Sequence, residues 1–434
     1  MKNKTKKITS ILLASALSAG CVFAMSACEN DSATTANNDA LIEQMTKIEQ
    51  QLQSVQKDLA DLKKANEPEE DATPWNYGAE CYEKLQYIDA GLSDRDCLAG
   101  EHFKYTQNWI SYTLKNAGYA SEDIDYQEVE IQSRKGFYAQ KGLSAYKLQQ
   151  LYPAASKVAY ADDGKSYTQT TSANGKVSYV EDEAGEYAKI NVYSENIEVT
   201  KKGKSDQQII IGMHYDGTGT GDNGSGIALG LTTAEKFYDV ETQFTLKFVF
   251  FTGEEYGLYG AKAYANAMTD EEKANTLYLI NIDSIVCGDY CYIYGGVQNN
   301  DTKTVTKTEA YDNASAVAKS LGLDFKSNPW TWDNLSPDDE ESGVPSYASP
   351  STGNWSDHAP FKSQGITYLY FEATNWEIPD YTGYGETSVV GMLMNTENDY
   401  LEYIEKYYPG RPLAHLTQFS ALLNALLTQT EWKY

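Results

Sequence analysis

Residues 209–226 read IIIGMHYDGTGTGDNGSG, and this stretch decides the fold. Its first five residues form a continuous apolar run, as expected of a strand that is buried on both faces of a sheet. A histidine and an aspartate follow, and a glycine-rich turn then opens a helical pattern over Ser225–Tyr238. A buried strand that leads through a turn into a helix predicts one unit of an α/β sheet.

The same pattern recurs along the chain. Further apolar runs lie at Phe244–Phe251, Leu277–Ile282 and Ile366–Phe371, an alternating run lies at Tyr126–Ile131, and helical patterns lie at His102–Gly118, Gly257–Met268 and Leu413–Leu427. Short buried strands that alternate with helices indicate a sheet covered on both faces. We therefore predict an α/β domain over residues 76–434, with a mixed central β-sheet flanked by helices on both faces and a long excursion over Gly136–Glu186.

Composition restricts the function. Hydrophobic residues make up 41% of the 434 residues and charged residues 22%, which is typical of a globular protein. The formal net charge is −27, and no basic patch offsets it. Such a chain is expected to repel nucleic acid, so no nucleic-acid partner is predicted.

The amino terminus has the pattern of a processing signal. Four lysines among the first seven residues precede the apolar run Ile8–Ala27, and small residues lead to Cys28. This pattern resembles a bacterial lipoprotein signal over residues 1–28, with Cys28 as the lipid anchor and Cys21 as the other candidate. It predicts an extracytoplasmic protein anchored in the membrane of the cell envelope by its amino-terminal lipid. An ordinary secretory signal or an uncleaved anchor is the alternative.

Residues 29–75 are predicted to form a tether, a coiled-coil-like stalk and a linker. Seven apolar residues follow a 4-3 spacing between residues 41 and 62, namely Leu41, Met45, Ile48, Leu52, Val55, Leu59 and Leu62. This spacing is typical of a coiled-coil seam. It predicts either a homo-oligomer formed through residues 41–62 or a single helix that lies on its own domain.

Export would permit disulfides among the remaining cysteines. Cys81 and Cys97 could close a short loop, whereas Cys287 and Cys291 could pair only if the chain turns at Gly288. Free thiols are the alternative in both cases, and the sequence leaves the choice open.

Polar side chains capable of catalysis stand where the predicted strands end. His214 and Asp222 follow the first strand, Glu254 and Glu255 the second, and Asp283 the third. In open α/β sheets the site lies outside the carboxyl ends of the strands, so these side chains should converge. An imidazole together with carboxylates binds Zn²⁺. Two adjacent glutamates that leave a strand can face different ways, so one can bind metal while the other remains a free general base.

Five motifs together resemble one family, the co-catalytic zinc aminopeptidases, which also include glutamate carboxypeptidases and glutaminyl cyclases. The motifs are His214-Tyr215-Asp216, Asp222-Asn223-Gly224-Ser225-Gly226, Gly253-Glu254-Glu255-Tyr256-Gly257-Leu258, Asn281-Ile282-Asp283 and Ser356-Asp357-His358-Ala359-Pro360-Phe361. The resemblance covers about residues 190–430 and implies two zinc ions held close together.

The resemblance also implies a role for each residue. Asp222 would bridge the two metals, His214 and Asp283 would complete one metal site, and Glu255 would belong to the other. Glu254 would be the general base. Asp216 would orient His214, and a cis peptide bond would follow Asp222.

Two further segments correspond to parts of the site in the family. In the family Asp357 and His358 line the site, and His358 would be either a substrate-side hydrogen-bond donor or a structural anchor. The last metal ligand of the family is a histidine in a His-Thr-x-x-Asp sequence, whereas this chain has Asn395 at that position. The second zinc is therefore expected to be weakly held or absent.

The predicted function is a zinc-dependent exopeptidase that hydrolyses amino-terminal residues from peptide substrates. One alternative is a single-zinc glutaminyl cyclase of the same fold. Another is a catalytically weakened lipoprotein that binds peptides.

Overall fold

The central sheet has seven strands, and its order places four parallel strands in the middle. The computed structural model describes residues 75–97, 101–131, 192–378, 383 and 385–433, together with short strands between residues 137 and 190. The sheet strands in chain order are β1 (Ile124–Ile131), β2 (Val192–Lys201), β3 (Ser205–His214), β4 (Phe244–Phe251), β5 (Thr276–Ile282), β6 (Tyr290–Tyr294) and β7 (Tyr368–Thr374).

Strand pairing explains where the site lies. The sheet order is β1-β2-β4-β3-β5-β7-β6, in which β4, β3, β5 and β7 are mutually parallel neighbours. Strand β2 runs antiparallel to both β1 and β4, and β6 runs antiparallel to β7. The predicted mixed sheet is confirmed. Because the four central strands are parallel, their carboxyl ends meet at one edge.

Helices cover both faces of this sheet. They are α1 (Gly78–Gly91), α2 (Glu101–Ala117), α3 (Gly224–Phe237), α4 (Tyr259–Ala267), α5 (Asp270–Asn275), α6 (Glu309–Ser320), α7 (His358–Ser363), α8 (Leu401–Tyr407) and α9 (Arg411–Leu427). Helices α1, α3 and α9 pack together on one face, and α4 and α7 pack together on the other.

Alternate residues of β3 belong to different cores. Ile209 and Ile211 join the larger core with α1, α3 and α9, whereas Ile210 joins the smaller core with α4 and α7. Successive side chains of a strand point to opposite faces, so a strand with a core on each side reads as a continuous apolar run. This is the physical origin of the run at residues 209–213.

Smaller elements lie outside the central sheet. The short strands are Phe137–Gln140, Val158–Tyr160, Tyr167–Gln169, Lys176–Val177, Tyr187–Ile190, Val297–Asn299 and Thr304–Thr306, and two 3₁₀ turns lie at Ser121–Asp123 and Pro337–Asp339. Five of these strands lie within the predicted excursion or at its end. In the part of the chain that the structure describes, they pair with one another, as Phe137–Gln140 with Tyr187–Ile190 and as a three-stranded group.

Helix α1 was not predicted, although its buried residues follow a regular spacing. Cys81, Leu85 and Ile88 line its buried face, and polar residues separate them. The helix packs against α3 and α9 and so completes the larger core.

Several predictions concern residues that lie outside the described part of the chain. They are the signal over residues 1–28 with Cys28, the tether, and the apolar seam at residues 41–62, and all of these stay predictions. The described residues fall within a compact unit that spans Pro74–Tyr434. Among them, none of the helices is both long enough and apolar enough to cross a bilayer.

The four cysteines of the described residues form no disulfide bond with one another. Cys81, Cys97, Cys287 and Cys291 are all buried free thiols. The short loop between Cys81 and Cys97 is not closed by a bond, and neither is the turn at Gly288.

Candidate active site

Three side chains converge at the carboxyl edge of the sheet: His214 at the end of β3, Asp222 in the turn that follows it, and Asp283 after β5. His214 Nε2 lies 3.2 Å from Asp222 Oδ1 and 3.3 Å from Asp283 Oδ1. One nitrogen and two oxygens, all buried, therefore lie within 4.8 Å of one another. Among the described residues this is the one group of His, Cys, Asp and Glu side chains with such a spacing.

Asp222 is held in place by the start of α3. Asn223 caps this helix, because its Oδ1 accepts a hydrogen bond from Gly226 N at 3.0 Å. Its Nδ2 donates to the carbonyl oxygens of His214 and Ile282, at 3.3 and 2.9 Å. Asn223 therefore ties the ends of β3 and β5 to the turn that opens α3. The Asp222–Asn223 peptide bond is cis, as predicted.

Asp399 fixes the same turn from the opposite side. Its carboxylate accepts hydrogen bonds from Gly221 N at 2.6 Å and Asp222 N at 2.9 Å, and its carbonyl accepts one from Thr220 N. Burial raises the pKa of Asp399 to about 6, although the backbone donors act in the opposite direction. Asp399 belongs to the segment that differs from the family at Asn395, but no role was predicted for it.

Asp216 contacts the histidine mainly through its backbone. His214 Nδ1 lies 3.2 Å from the Asp216 carbonyl oxygen and 3.6 Å from its carboxylate. A hydrogen bond from Nδ1 to the carbonyl leaves Nε2 free to bind a metal. The carboxylate of Asp216 instead accepts the backbone N–H groups of Glu254 and Glu255, at 3.1 and 3.3 Å. Asp216 thereby links the histidine to the loop after β4.

The two glutamates have different surroundings. Glu254 is half-buried, and burial raises the pKa of its carboxyl well above the usual value, with a further contribution from Asp357. Glu255 has more exposed surface, yet its Oε1 lies so close to Gly217 that an added Cβ would approach it to 2.7 Å. Burial raises the pKa of Glu255 to about 8, and Asp222 acts in the same direction. Glu255 lies outside the compact group formed by His214, Asp222 and Asp283.

Two serines hold Asp283. Ser356 Oγ donates to Asp283 Oδ2 at 2.6 Å and accepts from Asn281 Nδ2 at 2.8 Å, while Ser284 Oγ donates to Oδ1 at 3.1 Å. Burial would raise the pKa of Asp283, but the charge on His214 and these hydrogen bonds bring it below its usual value. Asp283 is therefore kept ionised, as a metal ligand must be.

His358 is enclosed by the protein. The ring is fully buried and stacks between Tyr368 and Tyr370, with centroids 4.7 and 4.9 Å away. Its Nε2 donates to the carbonyl oxygen of Gly353 at 2.7 Å. Burial lowers the pKa of His358 to about 3, so the ring stays neutral. Of the two roles that the sequence left open, the anchor fits these contacts.

Asp357 has an unusual environment. Its side chain is fully buried, and neither carboxylate oxygen has a hydrogen-bond partner among the described residues. Burial raises the pKa of Asp357 well above the usual value, and Asp283 acts in the same direction. A buried carboxyl without partners is costly in its charged form, which agrees with the raised pKa.

Asn395 does not share the burial of the three converging side chains. It is exposed and adopts a φ of 58°. The residues before it are fixed by Glu386, whose carboxylate accepts the backbone N–H groups of Leu393 and Met394 at 2.6 and 3.0 Å. Burial raises the pKa of Glu386 to about 8. No role for Glu386 was predicted, because no motif includes it.

The residues around His214 fit a zinc ion. They offer one imidazole nitrogen and two carboxylate oxygens from three side chains, which is a ligand number and type common in catalytic zinc sites. Burial would lower the pKa of His214, but the surrounding carboxylates, Asp283 first, raise it well above the usual value. The carboxylates therefore favour a positive charge at Nε2, and a divalent cation meets the same demand.

Comparison with known proteins agrees with this geometry. Residues 196–387 match the model of Peptidase family M28. The matched residues include His214, Asp222, both glutamates and Asp283, whereas Asn395 and Asp399 lie beyond them. The family predicted from the sequence is confirmed, and M28 zinc aminopeptidases imply a zinc cofactor without fixing the number of ions.

Two curated relatives have partial matches. The Alkaline phosphatase isozyme conversion protein of Escherichia coli is 29% identical over 245 residues, covering 51% of this chain and 66% of the relative. Aminopeptidase YwaD of Bacillus subtilis is 27% identical over 252 residues, covering 56% of this chain and 46% of the relative. The chain thus spans about two thirds and about half of the lengths of these relatives.

Solved structures share the fold. A zinc aminopeptidase from Bacillus subtilis, BSAP, superposes with a TM-score of 0.52 at 17% identity, covering 84% of this chain and 98% of that chain. A glutaminyl cyclase from an Acidobacteriales bacterium gives a TM-score of 0.50 at 14% identity, covering 84% and 99%. At these identities the likeness shows the fold alone.

Ser356→Ala should lower zinc affinity about 10–100-fold, as is typical when a hydrogen-bond partner of a metal ligand is lost. The substitution removes the donor to Asp283 and leaves Asn281 Nδ2 without its acceptor. Competition with a chromophoric chelator measures the affinity. Ser363→Ala is the control, because Ser363 Oγ donates only to the Pro360 carbonyl within α7. Unchanged affinity in a folded Ser356→Ala protein would contradict the role of this hydrogen bond.

Proposed function

We propose that this chain, whose residues 196–387 match the model of Peptidase family M28, is a zinc-dependent exopeptidase that removes amino-terminal residues from peptides. The observation that carries the proposal is the convergence of His214, Asp222 and Asp283 beside Glu254. A buried metal site next to a carboxyl of raised pKa is the arrangement that hydrolysis of an amide requires.

Glu254 would act first as the general base and then as the general acid. Its carboxylate would accept a proton from the water whose oxygen attacks the scissile carbonyl carbon. It would later deliver that proton to the leaving amine nitrogen as the C–N bond breaks, so the general base ends the cycle ionised. Asp216 would support this role, because its carboxylate holds the backbone of Glu254.

His214, Asp222 and Asp283 would hold the zinc. When bound there, zinc would polarise the scissile carbonyl and lower the pKa of the attacking water. The hydrogen bond from His214 Nδ1 to the Asp216 carbonyl and those from Ser356 and Ser284 to Asp283 would fix these ligands in place.

An excess of carboxylates would restrict cleavage to the first residue. Glu255 lies against Gly217 near Asp222 and retains exposed surface, so its carboxylate could accept the α-ammonium group of a peptide. An internal peptide bond offers no such cation. This charge preference favours an exopeptidase over an endopeptidase.

A glutaminyl cyclase is the second candidate, favoured by one observation. The described residues contain one compact group suited to a metal, and the fold is shared with a glutaminyl cyclase. In that reaction the substrate's own α-amine attacks the side-chain amide carbon and ammonia leaves, so no water is consumed. Release of 4-nitroaniline from aminoacyl substrates, set against release of ammonia from glutaminyl peptides, separates the two reactions.

Glu254→Gln should lower kcat by roughly 10²–10⁴ while the metal content stays at the native level, because the amide cannot accept the proton. Steady-state hydrolysis of aminoacyl 4-nitroanilides, together with metal analysis, gives both quantities. The matched control is Glu397→Gln, which neutralises an exposed glutamate in the segment of Asn395. If metal-loaded Glu254→Gln enzyme turned over substrate at the native rate, Glu254 would not be the general base.

The native protein should retain one zinc tightly and a second weakly or not at all. Asn395 offers a neutral amide where the family has an imidazole, and it is exposed. Asn395→His should therefore raise the affinity for a second zinc by about tenfold or more. Asn398→His, on the same segment, is the control. If the native protein held two zinc ions tightly and Asn395→His changed neither affinity, Asn395 would not weaken the second site.

We also propose that the protein is anchored to the cell envelope by a lipid on Cys28, with residues 29–75 as tether. Acyl chains bury many methylene groups at about 0.8 kcal/mol each, and stable anchoring takes more than one chain. Mass spectrometry of the detergent-extracted protein should find the lipid at Cys28. Cys28→Ala should abolish it, while Cys21→Ala, the control, should keep it. Recovery of unmodified native chain from the culture medium would argue against the anchor.

A further inference from the structure

Arg95 is a buried guanidinium that lies beside the active site and belongs to none of its motifs. Its side chain is fully buried. Nη1 donates to the Leu92 carbonyl at 2.8 Å and Nη2 to the Gly219 carbonyl at 2.5 Å, while its backbone N–H donates to the Gly217 carbonyl at 2.9 Å. All of these partners are neutral, and Nε has no partner among the described residues.

A buried charge with neutral partners is costly unless opposite charges lie near. Gly217 and Gly219 lie between Arg95 and two negatively charged side chains. A Cβ on Gly217 would lie 2.7 Å from Glu255 Oε1, and a Cβ on Gly219 would overlap the carboxylate of Asp399. These two glycines therefore present their carbonyls to Arg95 and their Cα atoms to carboxylates.

Four carboxylates act electrostatically on this guanidinium, namely Asp399, Asp222, Asp216 and Glu255. Burial lowers the pKa of Arg95, and these four carboxylates oppose that shift. An arginine keeps its charge even when buried, because its pKa starts above 12. Arg95 is therefore a permanent cation near Asp222 and Glu255, the two carboxylates that the family resemblance assigns to the second metal site.

We propose that Arg95 is a positioning residue that takes over the electrostatic role of the second metal ion. Its fixed charge compensates Asp222 and Glu255 from behind the Gly217–Gly219 turn, and its hydrogen bonds hold that turn. A single zinc at His214, Asp222 and Asp283 then suffices. The exposed Asn395 agrees with this arrangement, since an imidazole ligand is not needed where a second metal is replaced. The inference rests on the proposed one-zinc peptidase.

The test compares charge with hydrogen bonding at position 95 in the full-length protein. Arg95→Lys keeps the charge, Arg95→Gln keeps a donor for the Gly219 carbonyl without charge, and Arg95→Met removes both. Zinc binding is measured by titration calorimetry and by metal analysis after dialysis, and Co²⁺ absorption reports the environment of each ion. Thermal unfolding checks that each variant folds.

The native protein and Arg95→Lys should bind the second zinc weakly. Arg95→Gln and Arg95→Met should bind it about tenfold or more tightly, because the carboxylates lose their internal cation. Arg411→Met is the control for loss of a partly buried guanidinium, since Arg411 pairs with Asp289. It should leave the second zinc unchanged.

Two results would overturn the inference. One is a second-zinc affinity in folded Arg95→Gln that equals that of the native protein. The other is an Arg95→Lys variant that binds the second zinc as tightly as Arg95→Met, which would assign the effect to hydrogen bonding. Metal binding does not depend on turnover. If no peptide is hydrolysed while the metal results hold, the proposed function fails and the role of Arg95 stands.

Discussion

Excess negative charge at one edge of the sheet is the constraint on which the site depends. Parallel strands end together, so the carboxylates after β3, β4 and β5 are brought into one small region, in which Asp216, Asp222 and Asp283 are buried. Buried carboxylates repel one another and lose hydration, so each must be compensated or protonated. Burial first, and then the neighbouring carboxylates, raise the pKa of Glu254, Asp222 and Asp357. The same surroundings raise the pKa of His214, because the carboxylates, Asp283 first, outweigh the effect of its burial.

The fold compensates these acids in different ways, and the way determines what each acid can do. Asp399 and Asp216 accept backbone N–H groups, so they serve as braces for the loops that carry the reactive groups. Asp283 receives two serine hydroxyls and remains ionised. The backbone of Glu254 is held by Asp216, and burial raises the pKa of its carboxyl well above the usual value. A carboxyl of raised pKa is suited to general acid–base catalysis.

The sequence predicts the sheet and the residues at its edge because both depend on local patterns. Continuous apolar runs identify β3, β4 and β5, and the residues that follow each run are then known to lie together. Asp399 and Glu386 could not be assigned in this way. They act by accepting backbone N–H groups of other segments, a property that no residue type or spacing reveals. His358 shows the same limit, since only its burial between Tyr368 and Tyr370 separates an anchor from a substrate contact.

Arg95 is the extreme case, because it contacts none of the carboxylates that it compensates. It lies beyond the end of α1, a helix whose weak pattern also escaped prediction, and it reaches the site only through the carbonyls of Gly217 and Gly219. Glycine is required at those positions because carboxylates occupy the space where a Cβ would stand. The glycine-rich turn between His214 and Asp222 therefore has two functions. It brings the Asp222 side chain back beside His214. It also has no side chains at Gly217 and Gly219, so Arg95 lies near enough to the carboxylates to act on them electrostatically.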